Sequence, residues 1–173
     1  MIMEKPGGKS LFNVRINKVN VMRQYFIRHA HAEERHEWKE DDMLRPLTAA
    51  GKSRMENTVR KFFSIYPLPD HVVSSEAVRA VQTAEIVCGV TKGGFVKEPL
   101  LNPGADIADW LEAVKKFPGS STVAFVGHEP DMTEFLSFYM AGNAMELVLK
   151  KGSICHLENR HLINLVQQKL LID

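Results

Sequence analysis

The chain has 173 residues, about one domain, and its 22 basic and 21 acidic side chains leave a formal net charge of +1. An apolar fraction of 45%, a charged fraction of 25% and a mean hydropathy of -0.17 exclude collagen-like, low-complexity and strongly disordered chains. The charge balance argues against nucleic acid as a partner, the lack of a long apolar run against a membrane span, and two isolated cysteines, Cys88 and Cys155, against a disulfide framework or a thiolate zinc site.

Residues 1–20 contain Pro6-Gly7-Gly8-Lys9-Ser10 and read as an extension, either flexible or supplying an added strand from the loosely alternating Leu11 to Val19. They lack the apolar stretch of a signal peptide, so a cytoplasmic protein is expected. Residues 21–173 are expected to form a single domain. Arg23 to Ile27 reads as a short strand. A polar segment follows, and Thr48 then caps a helix with the stripe Met55, Val59, Phe62, Phe63 and Tyr66. His71-Val72-Val73 is a second strand, and Ser74-Ser75 is placed to cap a helix with Ala77, Val81, Ala84 and Cys88 on one face. Phe95-Val96 is a short third strand after a Gly93-Gly94 turn.

Near Asp106 a third helix begins, with the stripe Ile107, Trp110, Leu111, Val114 and Phe117, ended by Pro118-Gly119. Thr122 to Val126 is an uninterrupted apolar strand of the kind buried on both faces. Pro130 opens a fourth helix carrying Met132, Phe135, Leu136, Tyr139 and Met140. Ile154–Leu157 and Leu162–Val166 flank a hairpin turn at Asn159-Arg160. Alternating strands and helices predict an α/β three-layer sandwich, with a mostly parallel central sheet flanked by helices and an antiparallel strand from the hairpin.

Ligands in such sheets bind beyond the carboxyl ends of the strands. The three strand ends carry Arg28-His29, Ser74-Ser75 with Arg79 downstream, and Gly127-His128. Two arginines and two histidines on one sheet edge make a cationic pocket with the donors a phosphate requires. Helix starts at Ser75 and Pro130 are expected to add backbone N–H groups.

Read in order, Arg28-His29-Ala30-x-Ala32-Glu33, Arg45-Pro46-Leu47-Thr48 with Gly51, Ser74-Ser75-x-x-x-Arg79-Ala80-x-Gln82-Thr83-Ala84 and Gly127-His128-Glu129-Pro130 resemble the histidine phosphatase superfamily. The shorter details are similar to its SixA-type branch, whose named activity is phosphohistidine phosphatase. The resemblance covers roughly residues 22 to 166 and implies a phosphoglycerate mutase-like fold. It also implies His29 as a nucleophile that carries a transient phosphoryl group, with Arg28, Arg79 and His128 binding the phosphoryl oxygens. Arg45 and Ser75 would contact substrate, and no metal or cofactor is called for. Nearby cations favour the neutral imidazole that can attack, while a protonated His128 and the arginines would stabilise the transferring group.

Two departures from the family pattern bear on chemistry. Ala30 replaces the usual glycine of the triplet. The loop Leu101-Asn102-Pro103-Gly104 has no carboxylate where many members carry a general acid, which leaves Glu129 and Glu33 as candidates for that role. A missing acid points to a labile phosphoryl compound, foremost phosphohistidine, and little room for a cap domain between His29 and Arg79 points to an open site that suits a protein substrate. A small phosphomonoester is the alternative substrate. Two rival readings are a metal-dependent hydrolase built on His29, His31, Glu33, Glu34 and His36, and a non-catalytic phospho-ligand binding module. The first rival is weakened because the metallo-hydrolase pattern needs a histidine where Glu34 stands.

Overall fold

The computed structural model describes residues 21–117, 119 and 121–171, so the extension expected over residues 1–20 lies outside the described residues, as does Pro118. In chain order the elements are β1 (Arg23–Arg28), α1 (Ala49–Phe63), β2 (His71–Ser74), α2 (Val78–Thr91), β3 (Phe95–Lys97), α3 (Ile107–Lys115), β4 (Thr122–Gly127), α4 (Asp131–Ala141), β5 (Ile154–Glu158) and β6 (His161–Val166). They form one six-stranded sheet in the order β3-β2-β4-β1-β5-β6. The first four of these strands are mutually parallel, while β5 pairs antiparallel with both β1 and β6. The sheet is thus mostly parallel, and the terminal hairpin supplies its antiparallel part.

Successive residues on a strand point to opposite faces, and this separates two cores. Tyr25 and Ile27 of β1, with Ala124 and Val126 of β4, pack against Met55, Val59 and Phe62 of α1 and Ala80, Ala84 and Val87 of α2. Phe26 points the other way, joining Val123 and Phe125 against Trp110 of α3 and Phe135 of α4. Trp110 and Phe135 stack with ring centroids 5.3 Å apart. The whole of β4 is buried, as its apolar run predicts. Among the described residues, no helix is long and apolar enough to cross a membrane.

Local signals explain the element ends. Thr48 accepts a hydrogen bond from Gly51 N at 2.9 Å and so caps α1. Asp106 and Asp109 form a reciprocal capping box at the start of α3. Asn159 and Arg160 take φ of 49° and 68°, the left-handed pair of a two-residue hairpin turn. The expectation for α2 needs correction. Its N-cap is Ala77, which has no side-chain cap, and Ser75 instead accepts from Ala77 N at 3.2 Å. Its buried face runs through Ala80, Thr83, Ala84, Val87 and Cys88 and includes Arg79, while Val81 is only half-buried. Several of these residues share one buried cluster with Met55, Val59 and Phe62 of α1.

Gly51 is held to glycine by a close approach. A Cβ there would lie 2.1 Å from the His31 carbonyl oxygen, which itself accepts from Thr48 N at 3.0 Å. Gly51→Ala should therefore push the segment after β1 off α1 and cost roughly 1–3 kcal/mol, as overpacking typically does. The midpoint of urea unfolding measures this, and an unchanged midpoint would contradict the reading.

Candidate active site

β2, β4 and β1 are neighbours and run parallel, so their carboxyl ends open side by side. The ladder continues past them, because His29 N donates to Gly127 O and Ser75 N to Val126 O, each at 3.0 Å. Those bonds fix the backbone from which His29 and His128 project. The two imidazole rings lie 5.2 Å apart, centroid to centroid.

His29 is only 6% exposed, and its Nδ1 lies 2.7 Å from the Ala30 carbonyl oxygen. A carbonyl can only accept, so in the neutral ring Nδ1 carries the hydrogen and Nε2 keeps its lone pair. Burial lowers the His29 pKa and outweighs the opposing bond to Ala30; Arg79, Arg28 and Arg45 push it further, to about 3. His29 is thus uncharged over the whole neutral range, with a free nitrogen available for attack.

In the unliganded site His128 is held neutral. Burial, then His29 and the three arginines, lowers its pKa to about 2. Its Nε2 lies 2.8 Å from Ser75 Oγ.

His29 and His128 share a cleft of about 260 Å³ with Arg28, Arg45 and Arg79. Glu34, Arg35, Asp42, Pro103, Glu129 and Lys151 complete its lining. Arg28, Arg45 and Arg79 are each held by hydrogen bonds to protein acceptors. Arg28 Nη1 donates to Leu149 O at 2.6 Å, and Arg45 Nη1 to Glu33 O at 2.7 Å. Arg79 donates to the Asp42 carbonyl at 2.7 Å and to its carboxylate at 2.9 Å, while Arg45 Nε takes the other carboxylate oxygen at 2.9 Å. Burial alone would raise the Asp42 carboxyl pKa, but Arg45 and Arg79 outweigh it and hold the group below its ordinary range. Three buried nitrogens on cleft residues remain without a hydrogen bond: Arg28 Nε, Arg79 Nε and His128 Nδ1. Buried polar groups are rarely left unpartnered, and the two guanidinium N–H donors on cleft residues suit an incoming anion.

The other sequence expectations divide. Arg45 lines the cleft. Ser75 is fully buried behind His128 and is not part of the lining, so it orients the imidazole rather than meeting substrate. Glu129 lines the cleft, half-buried with Oε1 unpartnered, and burial raises its pKa although Thr133 and Arg28 oppose the shift. Glu33 contributes only its carbonyl, to Arg45; its side chain is exposed and outside the cleft lining. His31 and His36 pair with glutamates of their own loop, Glu34 at 3.6 Å and Glu37 at 3.8 Å. No group of three or more His, Cys, Asp or Glu among the described residues is arranged to hold a metal ion. Asp42, Asn102 and Lys151 have no role assigned from the sequence. Asp42 stands three residues before Arg45, a spacing that one helical turn turns into a contact.

The depressed imidazoles carry a pH signature. In the unfolded chain each takes a proton near pH 6.5. In the fold the proton waits until about pH 3 for His29 and about pH 2 for His128. Below about pH 6.5 the unfolded state therefore binds more protons, and stability falls as pH falls toward those values. The urea midpoint should drop between pH 7 and pH 4, by less in His128→Gln than in the parent. Equal drops would contradict the assignment for His128.

The histidine phosphatase superfamily (branch 1) pattern matches residues 24–103. An uncharacterised Picosynechococcus protein is 32% identical over 146 residues, covering 80% of this chain and 86% of its own length. The phosphohistidine phosphatase SixA assigned in Agrobacterium tumefaciens superposes with a TM-score of 0.74 at 25% identity, over 84% of this chain and 97% of that one. A phosphoglycerate mutase of Bacillus anthracis shares the fold with a TM-score of 0.65 at 13% identity, over 86% of this chain and 89% of that one.

Proposed function

The chain belongs to the histidine phosphatase superfamily, and on that premise we propose that it hydrolyses phosphohistidine on proteins, with His29 as the residue that carries the phosphoryl group. Phosphatase activity with a histidine nucleophile comes with the family. The observation that carries the assignment to His29 is its fixed neutral tautomer: Nδ1 is tied to Ala30 O and Nε2 is left bare in a cleft that Arg28, Arg45 and Arg79 also line.

In the first step His29 Nε2 attacks phosphorus in line with the leaving group. Arg28, Arg45 and Arg79 spread charge over the equatorial oxygens. Asp42 keeps Arg45 and Arg79 aimed and stays ionised, which rules it out as a proton donor. Glu129 serves as the counter-charge of Arg28. Water then hydrolyses phospho-His29 and regenerates the neutral imidazole.

Two features support phosphohistidine over an alkyl phosphate. The 101–104 loop offers Pro103 to the cleft, and Asn102 is hydrogen-bonded to Ser75 and Glu76 instead of facing a leaving group. No carboxylic acid is therefore posed there to protonate an alkoxide, whereas imidazole leaves a P–N bond with less help. The described segment between β1 and β2 is a loop and α1 with no cap domain, so the cleft is open to a protein surface. Lys151 and Arg35 also line the cleft, Lys151 facing Glu34 and Arg35 facing Asp42, each at 3.9 Å.

A panel of phosphohistidine protein, small phosphomonoesters and phosphoamino acids, assayed with chelator present, tests the reading. The expected result is the highest kcat/KM for the phosphohistidine protein and no loss to chelator. A small ester that outperforms it would move the assignment to a small-molecule phosphatase, and chelator sensitivity would favour the metal reading.

A further inference from the structure

The hydrogen bonds behind His128 have directions that follow from one backbone group. Glu76 N can only donate, and it meets Asn102 Oδ1 at 2.8 Å. Asn102 Nδ2, on the other side, donates to Glu76 Oε2 at 3.0 Å. The amide is thereby oriented, and its oxygen faces Ser75 Oγ at 3.0 Å. The Ser75 hydroxyl must give its only hydrogen to that oxygen. Ser75 Oγ is then left as an acceptor, and it takes Ala77 N at 3.2 Å and His128 Nε2 at 2.8 Å. So Nε2 of His128 carries hydrogen. In the neutral ring Nδ1 is consequently bare, and it is the buried nitrogen that finds no hydrogen bond.

From this chain we infer that Asn102 is a positioning residue which, through Ser75, fixes His128 as the Nε2–H tautomer, so that a phosphoryl dianion entering the cleft draws one proton from solvent onto His128 Nδ1. The tautomer half stands on the hydrogen bonds alone; the proton-uptake half rests on the phosphatase reading of the cleft. A bare Nδ1 lone pair repels a phosphoryl oxygen, whereas an Nδ1–H donates to it with charge assistance. The bond formed is N–H at Nδ1, the proton comes from water or buffer, and it returns when the anion leaves.

The groups facing His128 explain why the proton arrives only with the anion. His29 and Arg28 reach it from the end of β1, Arg79 from α2 and Arg45 from the loop before α1, and all of them disfavour a further positive charge. Glu129 is next in the chain, but Arg28 stands against its carboxylate. A dianion among these groups reverses the local balance.

Nitrogen-15 NMR of the imidazoles reads the tautomer directly, first in the free protein and then with saturating inorganic phosphate at pH 8, where phosphate is largely dianionic. Free protein should show His128 as Nε2–H only, and the phosphate complex should show both ring nitrogens protonated. Calorimetry in two buffers of different ionisation heat should count about one proton taken up per phosphate bound. In Asn102→Ala the Ser75 hydroxyl is released to donate to Nε2, so both tautomers should appear and proton uptake should fall well below one. Ser75→Ala should mix the tautomers likewise. An Nδ1–H tautomer in the free parent, or a pure Nε2–H tautomer in both variants, overturns the role of Asn102. Phosphate bound without proton uptake overturns the second half. Failure of phosphate to bind at all would count against the phosphatase reading of the cleft, while the tautomer in the free protein still judges Asn102 by itself.

Discussion

Replacing His29 with alanine is expected to lower kcat by at least ~10⁴-fold, the order seen when a covalent nucleophile is deleted. The ring lines the cleft with Arg28, Arg45 and Arg79, and with Nδ1 tied to Ala30 O its Nε2 lone pair is free to attack. The fold should survive, because the ring's hydrogen bond goes to the neighbouring residue Ala30 and bridges no distant elements. Steady-state rates on an aryl phosphate, with circular dichroism as the control for folding, measure both. A variant that keeps the parent kcat removes His29 as nucleophile.

The second large effect concerns leaving groups. General-acid assistance is typically worth ~10²–10⁴-fold, and it matters most when the leaving group is a poor one. With no carboxylate in the 101–104 loop, the parent should cleave phosphohistidine and aryl phosphates faster than alkyl phosphates by about that factor. The logarithm of the rate plotted against leaving-group pKa should be steep. Glu129→Gln should lower every rate by a similar factor, because its carboxylate supports Arg28, which all substrates use. A flat plot, or a slowing confined to poor leaving groups in Glu129→Gln, would make Glu129 the acid and withdraw the main support for phosphohistidine.

The architecture was legible where the signal was periodic. Met55, Val59 and Phe62 on α1, Trp110 and Val114 on α3, and the unbroken apolar run of β4 each announce which surface they bury. The three strand ends were legible as well, since Arg28-His29, Ser74-Ser75 and Gly127-His128 directly follow recognisable strands. What stayed hidden depends on hydrogen-bond direction and on long-range pairing. Asp42 is one acid in a polar stretch rich in them, and only the fold brings it to Arg79, 37 residues away. Ser75 resembles a helix cap in sequence, yet α2 starts at Val78 and the Ser75 hydroxyl lies between Asn102 and His128. The charge state of His128 was hidden for a related reason. Its neutrality follows from burial and from three arginines that converge from separate segments. Propensity and spacing register neither effect.

The assignment of His29 is tested most directly by trapping the covalent enzyme. The protein is mixed with excess phosphorylated substrate, quenched in base within the first turnovers, and mapped by mass spectrometry with phosphorus NMR of the labelled peptide. The geometry predicts one acid-labile, base-stable phosphoryl group on His29, attached at Nε2 because Nδ1 is held by the Ala30 carbonyl. A phosphoryl group on another residue, attachment at Nδ1, or burst turnover with no phosphoenzyme at all would contradict it.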